Sequence, residues 1–187
     1  SGQAWLFGRP IGAQESKARL GFLPESPYFY DYLTGLEFLQ FYGHLFGIRG
    51  VALEKRIDEL LELVGMSHAR HLQLRKFSKG MLQRIGFAQA VVHDPELVIL
   101  DEPTAVLTPQ ESDRLFETIA QLVEQGLSVI FITHKMREVM AASHRCIVLR
   151  QGRVVFESLT KDTDPNALAK AMVGVEIPLT IRERQRP

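Results

Sequence analysis

Short apolar runs alternate along the chain with longer segments in which apolar residues recur at helical spacing. The runs are LGFL at 20–23, LVIL at 97–100 and SVIFI at 128–132, and each is followed by a proline or a polar residue. Such runs are typical of strands in a parallel sheet that is covered on both faces. Because helical segments lie between them, the pattern predicts an α/β fold.

Start and stop signals mark the helices. Thr34 with Glu37, and Thr108 with Glu111, have the spacing of a capping box, and Gly65 follows the last apolar position of another periodic segment. The predicted helices run from Thr34 to about Gly47, from Leu53 to Val64, from Ser78 to His93, from Thr108 to Gly126 and from Asp164 to about Val173.

Two segments have the pattern of a strand followed by a turn. GQAWLFGRPIG at 2–12 is predicted to form a short strand and a turn, and CIVLRQGRVVFE at 146–157 a hairpin that turns at Gln151 and Gly152. The tail after Gly174 is polar and carries no predicted element.

Three predicted helices follow one another between residues 34 and 93 with no strand among them. We therefore expect an all-helical insert at 34–93. The sheet-and-helix body would be formed by residues 1–33 and 94–187.

Charge and composition exclude several classes of protein. The 22 basic and 22 acidic residues give a formal net charge of zero, so nucleic acid is not an expected partner. No apolar run approaches the length of a membrane-spanning helix. A single cysteine, Cys146, excludes an internal disulfide. The first residues, SGQAWLFGRP, lack an initiator methionine and the basic start and apolar block of a signal peptide, and we expect a processed, cut or partial chain.

Candidate functional residues follow the ends of the predicted strands. Glu25 comes after LGFLP, Asp101 and Glu102 after LVIL, and His134 after SVIFIT. Ligands of open parallel sheets bind at this edge. An aspartate there can hold Mg²⁺, the next glutamate can polarise a water molecule, and a histidine can hold that water or a phosphate. The alternative is that polar residues simply end these strands where they meet solvent.

The segment RKFSKGMLQR at 75–84 is a second candidate site. Ser78 stands at a predicted helix start, and Gly80 allows close approach to the backbone, so free amides, a hydroxyl and the helix dipole could face an anion. Taken alone, the serine is more often an ordinary helix cap.

Together these motifs resemble the nucleotide-binding subunit of an ATP-binding cassette (ABC) transporter. FSKGM with Gln83 and Arg84 is similar to the signature loop, commonly LSGGQ, and LVILDEPT to the Walker B strand. FITHK supplies the switch histidine, and GFLPE lies at the position of the Q-loop, with glutamate in place of glutamine.

The resemblance implies a P-loop NTPase (RecA-like) fold and roles for individual residues. Asp101 would hold Mg²⁺, Glu102 would be the catalytic glutamate and His134 would position the water. The signature residues Ser78, Lys79, Gly80 and Met81 would contact ATP bound by a second nucleotide-binding subunit.

The resemblance also implies a partner in the membrane. The helical insert would dock on transmembrane permease subunits, with the loop from Glu25 to Tyr32 coupling the two. The protein would then be cytoplasmic and peripheral on the inner face of the cell membrane.

One departure from the family is the missing P-loop. GxxxxGK[ST] occurs nowhere in the sequence. In the family it precedes the segment that resembles SGQAWLFGRP, so the RecA-like sheet is expected to be incomplete. We expect the chain alone neither to bind ATP tightly nor to hydrolyse it. We also expect SVIFIT and CIVLR not to pair directly, because the P-loop strand lies between their equivalents.

A second departure lies after the Walker B strand, where Thr108 occupies the position of an aspartate in many cassettes. Residues 1 to about 96 resemble export-type cassettes, and the remainder resembles those of sugar or nucleoside importers. Recombination and ordinary divergence both explain this.

Three further interpretations stay open. The chain could be a non-catalytic permease-docking module, or a truncated or chimeric sequence without independent activity. A non-transport cassette of DNA repair or translation is disfavoured by the neutral charge and by the absence of coiled-coil heptads.

Overall fold

The computed structural model describes residues 3–174. The chain forms two units, which adjoin in sequence between Ile132 and Thr133. Unit 1 holds the parallel sheet and most of the helices. Its elements, in chain order, are β1 (Trp5–Leu6), β2 (Arg9–Pro10), α1 (Gln14–Ala18), β3 (Leu20–Leu23), α2 (Gly35–Leu45), α3 (Gly50–Leu63), α4 (Lys79–Val91), β4 (Leu97–Asp101), α5 (Pro109–Glu124) and β5 (Ser128–Ile132).

The main sheet of unit 1 has three strands in the order β3-β4-β5, all parallel. Its register places Phe22 beside Ile99 and Ile99 beside Ile130. The three strands are the three apolar runs of the sequence, so the predicted α/β fold with a parallel sheet is confirmed. Each crossover contains at least one helix, as parallel pairing requires.

Local side-chain hydrogen bonds start α2 and α5 where the sequence predicts them, whereas α3 begins at Gly50, before the predicted Leu53, and has no side-chain cap. The Thr34 hydroxyl accepts from the Glu37 amide at 3.2 Å, and the Glu37 carboxylate accepts from the Thr34 amide at 2.8 Å. Thr108 and Glu111 form the same capping box at the start of α5. These bonds satisfy amides that have no partner within the helix. The sequence did not predict α1, which has five residues, or the 3₁₀ turns Ser67–Ala69 and Leu74–Lys76.

The core of unit 1 lies between one face of the sheet and helices α2 to α5. Phe38, Ile57, Phe87 and Leu100 are at most 1% exposed and belong to one continuous cluster. Strand β3 approaches α4 closely at Gly21, where an added Cβ would lie 2.1 Å from the Ala90 carbonyl oxygen. The absence of a side chain at this glycine therefore sets the distance between sheet and helix.

The opposite face of the sheet is apolar but largely open to solvent. Phe22, Ile130 and Ile132 are 49%, 51% and 52% exposed. The prediction that SVIFI forms a buried strand is therefore wrong. Residues of β5 alternate between exposed and half-buried, and within the described residues β5 is an edge strand of its sheet.

Unit 2 contains a hairpin and two helices: α6 (Met136–Ala142), β6 (Arg145–Arg150), β7 (Arg153–Leu159) and α7 (Pro165–Val173). The predicted hairpin turn is confirmed, since Gln151 and Gly152 both have positive φ angles, of 51° and 74°. Asp164 caps α7 as predicted. Helix α6 and the 3₁₀ turn Thr160–Asp162 were not predicted.

The strands of unit 2 pair only with each other within the described residues: β6 joins β7 in a sheet of its own. This agrees with the prediction that SVIFIT and CIVLR are not direct neighbours. The polar tail after Gly174 lies outside the described residues, so its prediction is untested.

His93 links the end of α4 to β3 and to the end of α2. Its ring stacks on Phe46 with centroids 3.7 Å apart, and its Nε2 lies 3.2 Å from the Leu20 carbonyl oxygen. Burial lowers the pKa of His93 below its ordinary value, although the bond to Leu20 and the charge of Asp94 raise it and the charge of Arg56 lowers it further. The folded state therefore favours the neutral imidazole.

We expect the free energy of unfolding to fall as the pH falls below the ordinary histidine pKa of about 6.5. A histidine whose folded pKa is depressed stabilises the fold fully above its unfolded pKa, and this contribution is lost on acidification. The contribution of one proton cannot exceed about 1.4 kcal/mol per pH unit. Urea unfolding between pH 7.5 and 5 measures it, and His93→Gln should flatten the slope. An unchanged slope in that variant would assign the effect to other groups.

Candidate functional site

The acid pair predicted from the sequence lies at the carboxyl end of the central strand. Asp101 is the last residue of β4, and both Asp101 and Glu102 are half-buried. The Glu102 backbone has a φ of +46°, in the left-handed region that non-glycine residues seldom adopt. Its amide donates to the Ile132 carbonyl at 2.9 Å, which holds this conformation against the end of β5.

Such a conformation costs about 1–3 kcal/mol and persists only where surrounding contacts enforce it. Positions of this kind cluster at functional sites. Here the left-handed residue is the one predicted to act on water. The chain turns at Glu102 and leaves the edge of the sheet. The Glu102 side chain is therefore attached one residue after the end of β4.

The predicted signature residues occupy the first turn of α4. The Ser78 hydroxyl accepts from the Met81 amide at 3.2 Å and caps the helix. Ser78 and Lys79 are exposed, Gly80 is buried and Met81 is half-buried. An exposed hydroxyl and lysine at the N-terminus of a helix suit an anionic ligand, because the helix dipole is positive there.

Glu111 brings the segment after β4 into contact with the signature residues. Its Oε1 lies 3.7 Å from an Arg84 guanidinium nitrogen, and an added Cβ on Gly80 would lie 2.7 Å from the same oxygen. The Arg84 Nε donates to the Gly80 carbonyl at 3.4 Å. Hydrogen bonds from the Thr108 amide and hydroxyl lower the pKa of Glu111, and the charges of Arg84 and Arg114 lower it further.

The sequence predicts Glu111 only as part of a helix cap and Arg84 only as part of the signature motif. Nothing in the spacing of these residues indicates that they meet. Both line an open groove of about 680 Å³ between α3 and α5. The contact between them is a product of the tertiary structure.

The predicted Q-loop position lies just beyond β3. Glu25 is exposed and is followed by an aromatic loop. Tyr28 and Tyr32 are 82% and 66% exposed, and each packs against Tyr30, with ring centroids 5.9 Å and 6.2 Å away. The loop thus presents a connected aromatic surface that its own unit leaves largely open.

His134 belongs to unit 2, where it is exposed and precedes α6. Its predicted role beside Glu102 stays a prediction. Within residues 3–174, no group of three or more His, Cys, Asp or Glu side chains could hold a metal ion by itself. None of the helices in the same range is long and apolar enough to cross a membrane.

The parallel sheet of unit 1 ends at its central strand in Asp101, and the first turn of α4 contacts Glu111 in the segment that follows. The protein-family model described as ABC transporter matches residues 1–105. The chain belongs to the ABC transporter family.

Individual proteins agree with this assignment. An uncharacterized ABC transporter ATP-binding protein of Nostoc sp. is 45% identical over 156 residues, which are 82% of this chain and 47% of that protein. A linearmycin resistance ATP-binding protein of Bacillus subtilis is 36% identical over 157 residues, which are 83% of this chain and 50% of that protein. This chain therefore spans about half the length of the curated relatives it matches.

A solved structure shows the same fold. It is described as the ATP-binding subunit of an ABC transporter, and it matches with a TM-score of 0.74 over 90% of this chain and 70% of that chain, at 24% sequence identity. The expected P-loop NTPase fold is thereby confirmed.

Proposed function

We propose that this chain supplies part of the ATP-hydrolysing subunit of an ABC transporter, which powers solute transport through a partner permease. The observation that carries the proposal is the acid pair at the end of β4, with Glu102 held in a left-handed conformation. In this role Asp101 would hold Mg²⁺ and Glu102 would take a proton from the attacking water. A role for His134 in orienting that water belongs to the proposal on the motif FITHK alone, since His134 is in unit 2.

The donor set fits Mg²⁺ in the way nucleotide hydrolases hold it. Mg²⁺ is usually bound by one or two carboxylates together with phosphate oxygens, and it does not need a cage of protein ligands. Asp101, half-buried at a strand end, can supply one such carboxylate. When bound, the ion neutralises charge that develops on the phosphates.

The phosphate cradle does not come from this sequence, which has no Gly-Lys-Ser or Gly-Lys-Thr. The open apolar face formed by Phe22, Ile130 and Ile132 is where a further helix would complete the sheet, since parallel sheets are normally covered on both faces. We therefore propose that a P-loop segment outside this chain completes the site.

The partners of the proposed subunit are a second nucleotide-binding subunit and transmembrane permease subunits. Ser78 and Gly80, in the first turn of α4, would complete the ATP site of the second subunit. The helical segment at 34–93 and the exposed rings of Tyr28 and Tyr32 supply a surface for the permease. This function places the protein in the cytoplasm, peripheral on the inner face of the cell membrane.

Phosphate release from MgATP by the purified 187-residue chain tests the proposal. We expect no turnover above background and no saturable ATP binding in the micromolar range, because the backbone amides and lysine of a P-loop are absent. Glu117→Gln is a matched control, because it makes the same chemical change at an exposed residue of α5 that has no predicted role. Turnover that disappears in Glu102→Gln but persists in Glu117→Gln would overturn the predicted inactivity.

The exposed aromatic loop also favours a second candidate, a permease-docking module that needs no nucleotide. Binding of the purified chain to permease-containing vesicles without ATP would support it. A Tyr28→Ser, Tyr32→Ser variant should then lose binding. Binding that requires ATP would exclude a nucleotide-independent module.

A further inference from the structure

We propose that Glu111 is a positioning residue that fixes the first turn of α4, and with it the signature residues, to the segment that follows the acid pair. The role of Ser78 and Gly80 in contacting ATP rests on the proposed function. The contact between Glu111 and α4 does not. Glu111 lies in the first turn of α5, and it bonds to Thr108 on one side and faces Gly80 and Arg84 on the other.

The two carboxylate oxygens of Glu111 face different elements. Oε2 accepts from the Thr108 amide and from its hydroxyl, both at 3.0 Å, and so completes the capping box. Oε1 faces α4, where it lies 3.7 Å from the Arg84 guanidinium. A capping box uses only the contacts of Oε2 with Thr108. The contact of Oε1 with Arg84 is additional and joins α5 to α4.

Gly80 fits against this carboxylate because it has no side chain. A Cβ at this position would lie 2.7 Å from Oε1 and 3.2 Å from both Cδ and Oε2 of Glu111. Arg84 contacts both residues, since its Nε donates to the Gly80 carbonyl while its Nη2 lies 3.7 Å from Oε1 of Glu111. The backbone at Gly80 is therefore held from two directions.

Partial burial makes the ion pair more effective than a fully solvated one. The Arg84 and Glu111 side chains are 22% and 28% exposed, so solvent screens their charges less than at the open surface. Glu111 is charged at neutral pH, and its pKa is lowered, first by the Thr108 amide and then by the Thr108 hydroxyl and the arginines, so it stays charged further into the acid range.

The consequence is a mechanical link within one cassette. Asp101 and Glu102 would act on the nucleotide of their own subunit, whereas Ser78 and Gly80 would contact the nucleotide of the partner. Glu111 connects the two groups through the short segment from Glu102 to Thr108. A displacement of Asp101 or Glu102 would thereby move Ser78 and Gly80, which would contact the nucleotide of the partner.

Hydrogen exchange of the purified 187-residue chain at neutral pH tests the link without ATP. In Glu111→Gln we expect amides at 79–85 to exchange about three to five times faster, the factor expected for loss of a partly screened ion pair. Arg84→Met should have the same effect on these amides. Thr108→Val removes the cap hydroxyl but keeps the ion pair, so it should accelerate exchange at the start of α5 and not at 79–85. Glu117→Gln should change neither.

A change confined to residues 108–113 in Glu111→Gln would overturn the proposal and leave Glu111 as a helix cap. This outcome is separate from failure of the proposed function. ATP turnover by the 187-residue chain would contradict its predicted inactivity but would not alter the exchange pattern. An unchanged pattern at 79–85 would reject the link even if the chain belongs to an active transporter.

The Gly80 amide resonance provides a spectroscopic signature. We expect it to shift with pH as Glu111 titrates below its ordinary range, and not to shift in this way in Glu111→Gln. A purely structural role of Glu111 in α5 would not give the Gly80 amide this titration. The same titration curve in wild type and Glu111→Gln would reject the assignment.

Discussion

Replacing Glu102 by glutamine, in a longer form of the protein that contains a P-loop, is expected to lower the turnover of MgATP by about 10²–10⁴-fold, the usual contribution of a general base. Glutamine has almost the shape of glutamate but cannot take a proton from water. Its Cβ also keeps the left-handed backbone at this position as strained as before. Nucleotide binding should therefore survive while hydrolysis becomes slow, so that ATP accumulates on the protein.

Two measurements on the same variant separate this result from simple misfolding. Phosphate release should fall, whereas retention of radiolabelled ATP after gel filtration should rise. Glu62→Gln and Glu117→Gln remove an exposed carboxylate elsewhere in unit 1, and both should keep ordinary turnover. Undiminished hydrolysis in Glu102→Gln would remove Glu102 from the catalytic role.

Gly21→Ala is expected to lower the free energy of unfolding by about 3 kcal/mol or more, at the upper end of the cost of overpacking. The added Cβ would lie 2.1 Å from the Ala90 carbonyl oxygen and 2.9 Å from a methyl group of Val98. The first of these atoms is backbone in α4 and cannot rotate away. Strand β3 would have to move off the helix, which would disturb its ladder with β4 and open the core at Leu23.

Thermal unfolding measures the effect. For a domain of this size, 3 kcal/mol corresponds to a fall in Tm of about 6–12 °C. Gly12→Ala is the matched control, since an added Cβ there meets nothing within 4 Å, and its effect should stay within about 0.5 kcal/mol. A Tm within 2 °C of the wild type for Gly21→Ala would show that β3 and α4 can separate at little cost.

The local elements were predictable because their signals lie within a few residues of each other. Both capping boxes form between residues three positions apart, and the turn at Gln151 and Gly152 is set by two adjacent residues. The three parallel strands were likewise evident from their apolar runs. Helix α1 was missed because its five residues carry no apolar period.

Burial and long-range contacts were less predictable. The apolar run of β5 correctly predicted a strand but wrongly predicted that the strand is buried. An apolar side chain can be buried at low cost, but its presence does not show that another element covers it. What covers it depends on other parts of the protein, and Ile130 and Ile132 remain about half exposed here. The roles of Asp101, Glu102, Ser78 and His134 stay predictions that the experiments above address.

The sequence by itself determined the family, the order of strands and helices, and the position of the acid pair at the end of a strand. These depend on hydrophobic period, capping residues and motif spacing, all of which act over short distances along the chain. Only the tertiary structure decided that β3 lies against the Ala90 carbonyl at Gly21 and that Glu111 reaches Gly80 and Arg84. The physical reason is that such contacts join residues far apart in sequence, and their geometry is fixed by the packing of whole elements on each other.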